Sequence, residues 1–235
     1  MNEKMIKEAF HQVKVEKELK KRIKKFIYDK TKGYNKKHMY HIYNVVIPAA
    51  CMLFIFIGYQ IYFTPALAIS IDINPSIEMK VNRFDKVIAI EGYNEDGEEL
   101  VNLLQDVKYM NYADAINQII DNKEILALLS NDEIMVISVI SQDNEQSMRI
   151  LSNIESYTSD DTNIHCYHGD YERLDEANKL GLSYGKYDAY QKLRSLDINI
   201  SIEEIQSMSM REIHDLLETY LEDDSSGHHQ HGHGH

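Results

Sequence analysis

Nineteen consecutive uncharged residues, VVIPAACMLFIFIGYQIYF at 45–63, constrain this chain more than any other feature. At roughly 1.5 Å rise per residue a helix over this run reaches about 28 Å, close to the ~30 Å hydrocarbon core of a bilayer. Tyr43, Tyr59 and Tyr62 stand where an interfacial aromatic belt is expected. Pro48 falls in the first turn of the run, where a missing N–H does little harm. Ala66 and Ala68 flank Leu67 as in a signal-peptide cleavage site. The run, however, exceeds the roughly 7–15 apolar residues of a signal peptide, and the leader before it is too long. The reading is a retained transmembrane helix at 45–63.

Charge orients that helix. Residues 1–44 hold 13 Lys and Arg against 5 acidic residues, a net of +8, whereas residues 45–235 hold 12 against 33, a net of −21. Lys30, Lys32, Lys36 and Lys37 lie in the window where positive residues hold a segment inside. The expectation is a single-pass protein of the cell membrane, N-terminus cytoplasmic and C-terminus extracytoplasmic. Cys51 then lies in the membrane and Cys166 outside it, which leaves no disulfide within the chain.

Residues 1–44 read as a basic helical cytoplasmic segment. Ile6, Phe10 and Val13 fall at helical spacing, and Leu19, Ile23, Phe26 and Ile27 resume the stripe. Such a stripe cannot bury itself. It needs either the groove of an acidic partner protein or the anionic inner leaflet. No basic face interleaved with aromatic residues points to direct nucleic-acid binding.

Beyond the span the pattern is that of strands. Ile69, Ile71 and Ile73 alternate with Ser70, Asp72 and Asn74, and after Pro75 the alternation resumes through Ile77, Met79 and Val81. This predicts two half-buried strands, or one strand kinked at the proline. Further strands are expected at 86–91, 133–141 and 163–168, with an acidic turn at 94–97. Helices are expected at 98–104, 112–129 capped by Asn111, 144–156, 171–180, 184–196 and 210–221. The fold class is α+β. The expected parts are an extracytoplasmic α+β domain at 64–157, its mainly helical remainder at 158–222, and an acidic, His-rich tail at 223–235.

The motifs carry a resemblance. SIDINPSIE at 70–78, VNRFDKV at 81–87, EGYNEDG at 91–97, MNYADAI at 110–116 and GLSYGKY at 181–187 are similar to the extracytoplasmic domain of RsgI-like anti-sigma-I factors. The resemblance implies a membrane protein that holds a sigma factor at the inner membrane face. It also implies self-cleavage of the Asn74–Pro75 bond, followed by intramembrane proteolysis that frees the sigma factor. Residues 1–44 depart from the compact, β-rich cytoplasmic domain usual in such proteins.

Chemistry gives that bond a route. Proline has no N–H, so ordinary asparagine degradation through the following amide is closed. Attack by the Asn74 side-chain amide nitrogen on its own carbonyl remains, closing an imide and expelling Pro75 as a free amine. Asp72, with Ser70 and Ser76, could move protons or hold the carbonyl oxygen. On spacing alone, Asn-Pro is equally a turn.

Other constellations are weaker. His165, Cys166 and His168 fit no established zinc spacing and read as structural. His228, His229, His231, His233 and His235 could bind metal weakly in the tail. The acidic turn lacks a calcium loop's alternating ligands. No nucleophile motif, phosphate loop or carboxylate pair appears, so neither an enzyme acting on a diffusible substrate nor a cofactor is expected. The expected partners are a sigma factor, the membrane and an intramembrane protease. The competing reading is a membrane-tethered binding module for a cell-envelope polymer or metal ion.

Overall fold

The computed structural model describes Lys4, Lys7, Glu8 and residues 16–32 and 34–227. Ile6, Phe10 and Val13 and the five tail histidines lie outside the described residues. The chain divides into two units, Met1–Tyr59 and Gln60–His235.

In the first unit α1 runs Lys17–Thr31, and none of its residues is buried. Leu19, Ile23, Phe26 and Ile27 are all exposed on it. Glu18 in its first turn and Lys30 in its last complement the helix dipole. Helix α2, Tyr34–Phe63, contains the apolar run, and its stretch Tyr43–Phe63 is long and apolar enough to cross a membrane. Pro48 lies well inside this 30-residue helix instead of in its first turn. It therefore removes one interior backbone hydrogen bond, the one that residue 44 would accept.

In the second unit only Thr64 separates α2 from the first strand. The strands are β1 (Pro65–Asp72), β2 (Ser76–Asn82), β3 (Val87–Gly92), β4 (Met135–Ser141) and β5 (Ile164–Gly169). They form one sheet in the order β3-β2-β1-β4-β5. Strand β1 is central, antiparallel to both β2 and β4. Strand β5 joins β4 in parallel at the edge, after a helical crossover. The chain thus reverses at Pro75 as a hairpin, because Pro75 cannot supply a ladder N–H.

Helices cover both faces. On one face Ile69, Ile71, Ile77, Met79, Ile137 and Val139 pack with residues of α4 (Tyr112–Ile120), α5 (Lys123–Ser130) and α6 (Asn144–Thr158). Helix α3 (Glu95–Leu103) follows β3 and adds Leu100 to that core. The opposite face carries α7 (Tyr171–Lys179), α8 (Tyr184–Ser195), α9 (Ile202–Ser207) and α10 (Met210–Gly227). Ala68 and Ile140 meet Leu174 and Tyr184 there, and Val136 packs on the cluster of Leu193, Ile205 and Ile213.

The central strands β1, β2 and β4 are therefore buried on both sides, whereas β3 and β5 at the edges keep exposed residues. Ser70, Asp72, Ser76 and Glu78, expected on the polar face of half-buried strands, are all buried. Alternation reports polarity, and it cannot see a second layer supplied more than a hundred residues later.

Capping asparagines set other boundaries. Asn94 accepts from Gly97 N and starts α3, so the acidic turn is the first turn of that helix. Asn122 accepts from Glu124 N and starts α5, which divides the expected 112–129 helix in two. Asn111 caps α4 as its position predicts.

Candidate functional site: the Asn74–Pro75 hairpin

Residues Ile73, Asn74 and Pro75 close the turn between the paired Asp72 and Ser76. The Ile73 N–H donates to the Pro75 carbonyl at 3.1 Å, and the Ile73 carbonyl accepts from Met210 N at 3.0 Å. Between these restraints Asn74 takes φ = +127°. Side-chain-bearing residues rarely adopt such a conformation, and holding one there costs of the order of 1–3 kcal/mol.

The surrounding chain fixes the Asn74 side chain as well. Its Oδ1 accepts from Asn94 Nδ2 at 2.6 Å, and its Nδ2 donates to Asp96 Oδ2 at 3.2 Å. Asn94 serves three groups at once. Besides holding Asn74, its Oδ1 accepts from Gly97 N at 2.9 Å and from Ser76 N at 3.0 Å. The Tyr93 N–H donates to the Ser76 carbonyl at 2.9 Å. Gly97 lets α3 approach this closely, since a Cβ there would lie 2.2 Å from the Ser76 oxygen. A cavity of about 430 Å3, lined by Asn74, Asn94, Asp96, Glu203 and Gln206 among others, opens beside the turn. A second cavity, about 910 Å3, lies elsewhere, over β4 and β5, and Asn74 takes no part in it.

Asp72, Ser70 and Ser76 lie one step back from the turn. Asp72 is fully buried, with Oδ2 accepting from Ser70 Oγ at 2.8 Å and from Gly185 N at 3.1 Å. It thereby pins β1 to the start of α8, where a Cβ on Gly185 would fall 2.4 Å from the carboxylate. The Ser76 and Ser183 hydroxyls face the same carboxylate without closing a hydrogen bond. Burial pushes the Asp72 pKa up, against the pull of these hydroxyls and of Lys186. Lys186, also buried, is pushed down by burial and donates to the Gln206 carbonyl at 2.5 Å.

Glu78 shares the buried face. Its pKa is pushed up to about 7, chiefly by burial, against the pull of Lys80. The Tyr93 hydroxyl oxygen lies 3.4 Å from its Oε2 and donates its proton to Asn178 Oδ1 at 2.5 Å.

Of the residues singled out in the sequence, Asn74 and Pro75 form the turn, and Ser70, Asp72 and Ser76 form its buried footing. The groups that touch the Asn74 side chain are Asn94 and Asp96, which sequence reasoning missed. The signal for them in the sequence is a helix-capping spacing, Asn94 three residues before Gly97, which suits a plain acidic turn as well. On β5, His168 pairs with Ser147 at 3.0 Å and Cys166 lies 3.6 Å from Thr158 Oγ1.

The fold and site define a class: a sheet domain following an apolar helix, with a strained Asn-Pro hairpin on its central strand. The anti-sigma factor RsgI-like central domain matches residues 66–192, more than half of the chain. This chain belongs to that family.

Anti-sigma-I factor RsgI7 of Acetivibrio thermocellus is 25% identical over 196 residues, covering 79% of this chain and 36% of that protein. RsgI9 of the same organism is 25% identical over 168 residues, 66% of this chain and 24% of the relative. Anti-sigma-I factor RsgI of Bacillus subtilis is 27% identical over 146 residues, 59% of this chain and 38% of the relative. The chain thus spans well under half the length of these relatives.

Proposed function

We propose that this protein is a membrane-tethered anti-sigma factor whose C-terminal domain contains a self-cleaving joint at Asn74–Pro75. The observation that carries the reading is the Asn74 conformation: a strained backbone with both side-chain amide atoms held. Membership of the RsgI-like family and the apolar helix Tyr43–Phe63 support the anti-sigma and membrane parts. The excess of Lys and Arg before the span supports a cytoplasmic N-terminus.

In the reaction, Asn74 Nδ2 forms a bond to the Asn74 carbonyl carbon. Asp96 accepts the proton that the nitrogen sheds. The bond from that carbon to the Pro75 nitrogen breaks, and the proline leaves as a secondary amine after taking up a proton. The upstream fragment ends in a cyclic imide, which water opens. An amide nitrogen is a weak nucleophile, so fixed geometry must supply much of the rate, and proximity can contribute about 7–11 kcal/mol. Relief of the strain at Asn74 favours product.

Cleavage would leave β1 attached to the membrane helix while β2 and β4 hold it from both sides. Ile69, Ile71 and Ile73, all buried, contribute roughly 1.5–3 kcal/mol each to retention. The joint would hold at rest and yield β1 when pulled, exposing a short stub to an intramembrane protease. Inside, the exposed stripe of α1 would hold the sigma factor.

The test is the full chain purified in detergent. Two fragments on a denaturing gel that co-elute under native conditions, with Asn74→Ala giving one band, are expected. A single band from the unsubstituted protein would remove self-cleavage from the account.

A further inference from the structure

The Gln60–His235 unit carries a group of exposed rings that its core does not use. Phe84, at the tip of the β2–β3 hairpin, is 53% exposed, and Tyr109, in the loop before α4, is 49% exposed. Both meet the residues that end α2. The Tyr62 and Phe84 rings stack with centroids 6.2 Å apart, and Phe63 meets Tyr109 edge-on at 6.3 Å. Asn82, fully buried, donates from Nδ2 to the Tyr62 carbonyl at 2.8 Å. Its Oδ1 accepts from Phe84 N and Lys86 N, so one side chain shapes the hairpin tip and fastens it to the helix end.

Tyr109 is held outward at some expense. It takes φ = +71°, and its N–H is fixed on the Val87 carbonyl at 2.7 Å. A glycine would adopt this conformation more easily, so an exposed ring kept there points to a use.

Charge agrees. The segment beyond residue 44 is strongly acidic, yet exposed Arg83 adjoins Phe84 and the Lys108 ammonium lies 5.4 Å from the Tyr109 ring centroid. The nearby acid Asp85 is already paired with Arg149 at 2.8 Å. Aromatic rings beside basic groups at the end of an apolar span match a bilayer's interfacial zone, where rings sit among headgroups and cations meet phosphates.

We propose that Phe84 and Tyr109, flanked by Arg83 and Lys108, form a lipid-contacting collar by which this domain rests on the membrane that its own helix crosses. The proposal builds on the reading of Tyr43–Phe63 as a membrane span. The collar would set the start of β1 at the headgroup layer, so that the strand leads straight from the lipid into the sheet.

The chain contains no tryptophan, so single-tryptophan variants report cleanly. The full chain is reconstituted as Phe84→Trp, Tyr109→Trp, Tyr167→Trp and Phe56→Trp in bilayers of phosphatidylcholine with or without phosphatidylglycerol. Brominated lipid should quench positions 84 and 109, with a blue shift and protection from acrylamide, and position 167 should respond only to acrylamide. Adding phosphatidylglycerol should deepen lipid quenching at 84 and 109, and Arg83→Gln with Lys108→Gln should cancel that gain. If 84 and 109 behave like 167 while 56 is quenched by lipid, the helix spans but the collar is wrong. If 56 is also quenched only from water, the span itself is wrong and the collar falls with it. Two probe positions keep the result readable if one variant misfolds.

Discussion

At the scale of single residues, Asn94 does most to hold the Asn74–Pro75 turn. It caps α3, receives the Ser76 N–H and holds the Asn74 amide oxygen. Asn94→Ala should slow fragment formation and also remove a helix cap at about 1 kcal/mol. Asn111→Ala loses a comparable cap on α4 without touching the turn, so a cleavage time course on the two variants separates the effects. Asp96→Asn should slow cleavage while leaving thermal stability near its starting value. Glu78 gives a prediction in pH. Its folded pKa of about 7 lies above the ordinary value of 4.5, so between these values the folded state keeps a proton that the unfolded state has lost. Stability should therefore fall as pH rises from about 4.5 to 7, by on the order of 3 kcal/mol in total, and level off above. Asp72, shifted the same way, adds to the trend. Denaturant titrations should show Glu78→Gln losing much of this slope and gaining stability at pH 8.

At the scale of elements, β1 decides how the joint behaves, because it is central and paired on both edges. Ile71→Ala, in the middle of that strand, should destabilise the domain by about 2–5 kcal/mol. In the cleaved protein it should also speed separation of the fragments in mild denaturant, measured as loss of co-elution. Much of this element was legible in the sequence. The apolar alternation located β1 and β2, and the missing proline N–H marked the break between them, while a reversal and a kinked single strand stayed equally open. The burial of Ser70, Asp72 and Glu78 was not legible, since nothing local announces that Gly185 will pack on Asp72 or that Tyr93 will reach Glu78 and Asn178. The Asn94–Gly97 spacing offers a helix cap, but nothing local shows that the first turn it opens reaches back to Asn74. The motif named the bond, and only the folded chain brought Asn94 and Asp96 to it.

At the scale of the whole molecule, the proposed function needs three parts: a basic N-terminal helix that meets a partner, a span, and a domain that stays together once its Asn74–Pro75 bond is cut. Leu19, Ile23, Phe26 and Ile27 leave α1 without a covered face among the described residues, which fits a partner's groove. Ile23→Asp with Phe26→Asp should abolish co-purification of a sigma factor with the full chain while leaving the C-terminal domain's melting unchanged. Retention of the sigma factor by that variant would move the binding surface elsewhere. The central claim is that the chain cuts itself at one bond, and intact-mass analysis of the freshly purified full chain tests it most directly. The account predicts a fragment beginning at Pro75 and a partner ending at residue 74 as a cyclic imide, one water lighter than the acid it becomes. An uncut chain, or a cut at any other bond, would contradict it.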